Sequence, residues 1–171
     1  MDFFETVRTR RSVRSFKPDP VDEDSLGRIL DAARLAPSAN NRQEWRFVVV
    51  RDPLTRQMLS IAAEGQAFVA EAPVVIAACA VESDHIMHCG HPAYAVDLAI
   101  AIEHMALAAA SLGLGTCWIG AFNQPKVREI LGIPDSVAVV ELMALGHPAA
   151  VPGPRPRKSL QEIVAYEKWT F

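Results

Sequence analysis

The chain is poor in the features that mark several large classes of protein. It holds 3 cysteines in 171 residues, an odd number with no Cys-x-x-Cys pair. A disulfide framework is therefore not expected, and a reducing cytoplasm fits better than secretion. The opening Met1-Asp2-Phe3-Phe4-Glu5 lacks the charged-then-apolar pattern of an export signal. No basic excess exists either: the formal net charge is −3, which argues against nucleic acid as a partner. No Gly-x-Gly-x-x-Gly links a strand to a helix, so the glycine fingerprint of the dinucleotide-binding fold is missing. No uninterrupted membrane span is present. The longest apolar stretch, about Ala95 to Gly115, carries Asp97, Glu103 and His104 and reads as a buried helix.

What is present is an ordered globular chain. Half of its residues are hydrophobic, without repeats or low-complexity runs, and its length suits one domain over residues 1–171 that buries roughly 70% of its unfolded surface. Asp2 can cap a helix to about Thr9, and Asp22 one whose Leu26, Ile29, Leu30 and Ala33 keep helical spacing until Pro37 stops it. Trp45 to Arg51 reads as a strand, Asp52-Pro53 starts a helix to about Ala63, and the apolar run Pro73 to Val81 reads as a central strand. A long helix from about Pro92 to Leu112 ends at Gly113. It is followed by a short strand over Thr116 to Gly120, a helix from Asn123-Pro125 to Gly132, and a strand from Val137 to Leu145. Prolines cluster at 148–156 in an extended arm, and Leu160 to Tyr166 reads as a last helix. Strands and helices mix without a βαβ rhythm, which gives an α+β class with a central sheet flanked by helices.

The most telling tract is Thr9-Arg10-Arg11-Ser12-Val13-Arg14-Ser15-Phe16. Forked guanidinium donors beside hydroxyls suit a phosphate, although a solvated basic helix end has the same composition. Three further tracts accompany it: Ala36-Pro37-Ser38-Ala39-Asn40-Asn41-Arg42-Gln43-Glu44-Trp45, Gly113-Leu114-Gly115-Thr116-Cys117-Trp118-Ile119-Gly120, and Arg155-Pro156-Arg157-Lys158-Ser159-Leu160. In this order they resemble the nitroreductase family of FMN-dependent oxidoreductases, over residues 8–169.

The resemblance implies a nitroreductase-like α+β fold with a mostly antiparallel sheet, an intertwined homodimer, and residues 147–171 as an arm on the partner subunit. It implies FMN as cofactor and NAD(P)H as transient electron donor, with a small-molecule acceptor such as a nitroaromatic or quinone. Arg10 and Ser12 would meet the FMN phosphate and ribityl chain, with Arg11 acting mainly through its position beside them. Arg14 would lie at the flavin N1–C2=O edge, where a cation offsets the charge of the reduced ring; a surface salt bridge is the alternative. Pro37, Ser38, Ala39 and Asn41 would run along the ring and ribityl tail, although the same residues make ordinary helix-ending turns. Backbone N–H groups of Ile119 and Gly120 would face flavin O4 and N5. Arg157, with Lys158 as second candidate, would close on the phosphate, and Gln66 would meet the pyrimidine edge. No side chain is expected to be catalytic, because the flavin carries the reaction. Glu44 departs from the pattern, since the family usually has proline before this tryptophan.

Cys79, His85, His88, Cys89 and His91 crowd into thirteen residues outside these tracts. Imidazole and thiolate groups at short spacing could ligate a transition metal. The standard zinc spacings are absent, so His85, His88, Cys89 and His91 are expected to border the flavin pocket rather than hold a metal. The rival functional readings are a reductive dehalogenase or flavin-fragmenting relative on the same fold, and a non-enzymatic flavin- or metal-binding module.

Overall fold

A computed structural model describes residues 2–171. The first helix, α1 (Phe3–Thr9), starts where the Asp2 carboxylate accepts the Glu5 N–H at 2.9 Å. Asp22 does the same for α2 (Glu23–Arg34) through the Ser25 N–H at 2.8 Å. This helix ends three residues short of Pro37, because the proline ring disfavours helical backbone at the residue before it. Strand β1 (Trp45–Val50) leads into α3 (Pro53–Ala62), which Asp52 caps through Thr55. A short helix α4 (Ala67–Glu71) follows, then β2 (Val74–Ala80) and the long α5 (Ala93–Ser111). The chain continues through β3 (Gly115–Ile119), α6 (Gln124–Leu131), β4 (Ala138–Gly146) and α7 (Leu160–Ile163).

Two parts differ from expectation. Helix α4 has no strong periodicity over its 5 residues and was not foreseen. The last helix stops at Ile163 rather than Tyr166. Ser159 and Glu162 form a reciprocal capping box that starts it, but its apolar side chains are exposed and nothing packs on them to extend it.

The four strands lie in the order β1-β2-β4-β3, every neighbouring pair antiparallel. The interior strand β2 is buried on both faces, which explains its unbroken apolar run. Val75, Ala77 and Cys79 point to the layer containing α3, α4 and α6, while Val74, Ile76, Ala78 and Ala80 point to α2 and α5. Helix α5 has the length and composition to cross a membrane, with a mean hydropathy of 1.4, and in the fold it packs against α2 and the sheet.

The segment after α1 runs along the outer edge of β3. Ser12 bridges Thr116 in parallel, and the Val13 N–H donates to the Thr116 carbonyl at 2.9 Å. The close approach depends on two paired glycines, Gly115 and Gly146. A Cβ on Gly115 would stand 2.7 Å from Val13 Cγ2, and one on Gly146 would collide with the ring of Pro73. Gly115→Ala is therefore expected to cost about 1–3 kcal/mol of stability by overpacking against a stiff β-branched side chain. Gly27, inside α2, has nothing within 4 Å of such a Cβ, so Gly27→Ala should instead stabilise by about 0.5–1 kcal/mol. Urea midpoints of opposite sign for the two variants check this; a neutral Gly115→Ala would contradict the packing argument.

Candidate functional site

The N-terminal basic segment, the α3–α4 turn and the end of β3 meet at one edge of the sheet. The Arg10 guanidinium lies 3.5 Å from a carboxylate oxygen of Glu103, on α5. Burial pushes the Glu103 carboxyl above its ordinary range while Arg10 pulls it back. Arg14 sits over the Phe68 ring of α4 at 5.9 Å and, among the described residues, makes no ion pair. Its charge and that of Arg10 both reach Cys117 on β3. Arg11 is used differently. Its guanidinium donates to the carbonyls of Arg8 and Arg10 at 2.7 and 2.9 Å, closing the end of α1.

Gln66 joins the α3–α4 turn to the end of β3. Its side-chain amide donates to the carbonyls of Ala63, at 3.0 Å, and of Ala121, at 3.2 Å. Next to that contact Gly120 is exposed and Ile119 is buried. The carboxylate oxygens of Glu141, on β4, would each lie 3.9 Å from a Cβ on Gly120. Burial raises the Glu141 carboxyl to about 7, with the Ile119 N–H acting in the opposite direction. A β-bulge near Ala78 and Cys79 shifts the β2–β4 register beside this residue, a device that commonly re-aims side chains at sites. Burial also raises the thiol of Cys117 against the pull of Arg14 and Arg10. A buried neutral thiol is a poor nucleophile.

Pro37, Ser38, Ala39 and Asn41 occupy the turn between α2 and β1. Ser38 Oγ accepts the Gln43 N–H at 3.1 Å, and the Ala39 N–H donates to both carboxylate oxygens of Asp97, at 3.1 Å each. Asp97 and Glu103 are six positions apart on α5, which places the turn about 9 Å along that helix and about a third of a turn around it from the Arg10 contact. Arg157 and Lys158 lie on the exposed arm, where Arg157 donates only to the carbonyl of its neighbour Pro156, at 3.2 Å. One chain therefore gathers Arg10, Ser12, Arg14, Gln66, Ile119 and Gly120, while Pro37–Asn41 meets α5 at Asp97 and Arg157-Lys158 lies on the exposed arm.

The histidine-rich segment is a tight turn before α5. The Met87 N–H donates to the His91 carbonyl at 2.9 Å and the Ala93 N–H to that of His85 at 3.0 Å. His88, Cys89 and His91 are exposed, and Cys79 is buried in β2. Among the described residues no three of His, Cys, Asp and Glu are grouped to hold a metal ion.

Sequence reasoning missed Asp97, Glu103, Phe68 and Glu141 as members of this region. The available signal for the first two was a pair of acids inside an otherwise apolar helix. Glu141 is likewise an acid within an apolar strand. Phe68 gave no signal, because α4 itself was not foreseen.

Both the sequence and the fold have known relatives. The model of the family described as "Nitroreductase family" matches residues 7–83 and 54–147. A Thermus thermophilus protein named NADH dehydrogenase is 37% identical, the match covering 92% of each chain. A Bacillus subtilis protein named FMN reductase [NAD(P)H] is 32% identical over 98% of this chain and 74% of its own. The crystal structure of a nitroreductase family protein from Clostridium novyi NT superposes with a TM-score of 0.82 at 37% identity, over 86% of each chain. The chain belongs to the nitroreductase family.

Proposed function

We propose that the protein is a homodimeric, cytoplasmic oxidoreductase that binds FMN and passes electrons from NAD(P)H to small electrophiles such as nitroaromatics or quinones. The observation that carries this reading is the gathering of Arg10, Ser12 and Arg14 beside the exposed end of β3 at Gly120. The residues fit the cofactor. Arg10 and Ser12 supply phosphate donors, Arg14 supplies a cation with no carboxylate partner among the described residues, and Gly120 offers backbone without a side chain in the way. FMN supplies a reversible two-electron carrier that accepts hydride. The protein's own part is to fix the phosphate, place a positive charge at one edge and keep Cys117 out of the chemistry.

The site is completed by a second copy of the chain. The turn at 37–41 meets α5 at Asp97 rather than at Glu103, and residues 149–171, Arg157 and Lys158 among them, are almost wholly exposed. Exposed Tyr166 and Trp169 on that arm, at 79% and 84%, need a surface to cover them. We read the arm as an embrace of the partner, with the partner's turn and arm closing the flavin site.

The test is the visible spectrum of the purified protein followed by steady-state kinetics. Bound FMN and NAD(P)H oxidation that depends on an added quinone or nitroaromatic are expected. Donor and acceptor share one pocket in turn, so double-reciprocal plots should be parallel, and Cys117→Ser should keep most of the activity. A flavin-free protein that cannot be reconstituted with FMN would overturn the reading, and intersecting lines would overturn the shared pocket.

A further inference from the structure

The turn between α2 and β1 holds an unfavourable backbone. Asn40, Asn41 and Gln43 all have left-handed φ values, of 53°, 55° and 53°. Asparagine tolerates this region and glutamine does so less readily, so three such residues within four positions persist only where the surroundings hold them. Two buried carboxyl groups lie at this turn. Asp97 is 3% exposed and takes the Ala39 N–H between its two oxygens. Glu44 is 3% exposed, and its carbonyl accepts the Val81 N–H at 3.0 Å. Its carboxyl group lies against Asp97, and Oε2 is buried without a hydrogen-bond partner among the described residues.

Two carboxylates in one buried space cannot both be ionised without a neutralising cation. The cation at hand is Arg42, on the same turn, and it is bound to Glu82, in the segment after β2, at 2.8 Å. The charged groups facing Glu44 are therefore Asp97 from α5 and Arg42, the latter already engaged. A single proton between Glu44 and Asp97 resolves the conflict.

We propose that Glu44 and Asp97 share one proton, and that this pair is the positioning device which holds the turn Pro37–Asn41 in its flavin-facing shape. Glu44 donates its O–H to the Asp97 carboxylate, which meanwhile accepts the Ala39 N–H. Burial, and then the proximity of Asp97, hold the Glu44 carboxyl above its usual range, in the same direction. The role of the turn rests on the proposed FMN function; the existence of the pair does not.

The sign of the pH dependence follows. A carboxyl raised by folding keeps its proton in the native state when the unfolded chain has released it above about 4.5. The stabilisation is full on the acid side and is lost as pH rises through the folded value. Above it the two carboxylates repel, the turn loosens and the cofactor loses one wall. Glu44→Gln keeps a donor toward Asp97 but has no proton to lose.

The experiment compares wild type, Glu44→Gln and Glu44→Ala. FMN dissociation constants are read by flavin fluorescence, and urea midpoints of the apo protein by circular dichroism, from pH 4.5 to 9. Wild-type FMN affinity should fall about tenfold more across this range than that of Glu44→Gln, each pH unit of unmatched titration being about tenfold. Glu44→Gln should bind FMN as wild type does at the acid end of the range, and Glu44→Ala should bind poorly throughout. The wild-type urea midpoint should fall relative to Glu44→Gln as pH rises. Identical pH profiles of the urea midpoint in wild type and Glu44→Gln would overturn the shared proton, whatever happens to flavin. If those midpoints diverge as expected but FMN affinity is the same in all three proteins, the positioning role is overturned. If none of the three binds FMN at any pH, the functional reading fails with it.

Discussion

Replacing Arg10 by alanine is expected to weaken FMN binding by tens of fold, whereas replacing Arg11 should change it by no more than about threefold. The two residues are adjacent, share a side chain and differ only in where the guanidinium goes. Arg11 donates to Arg8 and Arg10 carbonyls and so finishes α1. Arg10 turns toward Glu103 on α5, at the edge where Ser12 and Arg14 stand. Loss of a charge-assisted contact to a partly buried phosphate costs on the order of 2 kcal/mol, or about thirtyfold in affinity. Arg10→Ala also leaves the Glu103 carboxylate without its cation, which adds repulsion toward the phosphate. Fluorescence titration of FMN into both apo variants measures the contrast. Equal effects would show that Arg10 has no privileged contact with the phosphate.

The larger effect is expected from removing the arm. Truncation after Ala150 keeps the short pairing in which the Lys17 N–H donates to the His147 carbonyl and the Ala149 N–H to that of Ser15. It deletes Leu160, Ile163, Tyr166, Trp169 and Phe171, all exposed on the single chain. Burying five such side chains on a partner contributes roughly 8–15 kcal/mol, less the entropy of ordering the arm. Even half of the lower figure raises the dimer dissociation constant about a thousandfold. Sedimentation velocity at micromolar concentration should then find monomer where the full chain is dimer. Bound FMN should be lost with the dimer, because Arg157 and Lys158 leave with the arm. A truncated protein that stays dimeric and yellow would refute this assignment of the arm.

The body of the fold was legible because its signals are local. Asp2, Asp22 and Asp52 each stand one residue before a helix and each accepts the N–H three residues on. Gly132 ends α6 in the left-handed conformation at φ 64°. The apolar run of β2 marked an interior strand. Short elements resisted the same reasoning: α4 has 5 residues, too few to show a period, and α7 depends on a capping box and nothing else. At the site, the arginines and glycines could be named from the sequence, but not their partners. Nothing in the chain near Arg10 points to Glu103, nor near Glu44 to Asp97, because those pairs exist only once α5 lies across the other elements. Glu44 was visible as a departure from the family pattern. Its burial beside a second carboxyl was not.

The strand order has a consequence for how this protein is made. In β1-β2-β4-β3 the third strand in sequence lies at the sheet's edge, and its only strand neighbour within the sheet is β4. A ribosome therefore releases β3 with only the Ser12–Val13 segment to pair with, and β2 with one side bare, until Ala138–Gly146 has been synthesised. Both hydrophobic layers draw on β4, so neither closes before then. Joining β2 to β4 closes a loop of about sixty residues, a slow step in chains dominated by distant pairings. The nascent polypeptide thus carries its apolar strands unfinished until β4 has been made, and folding is concentrated after that point, so chaperone protection matters most while β4 is awaited.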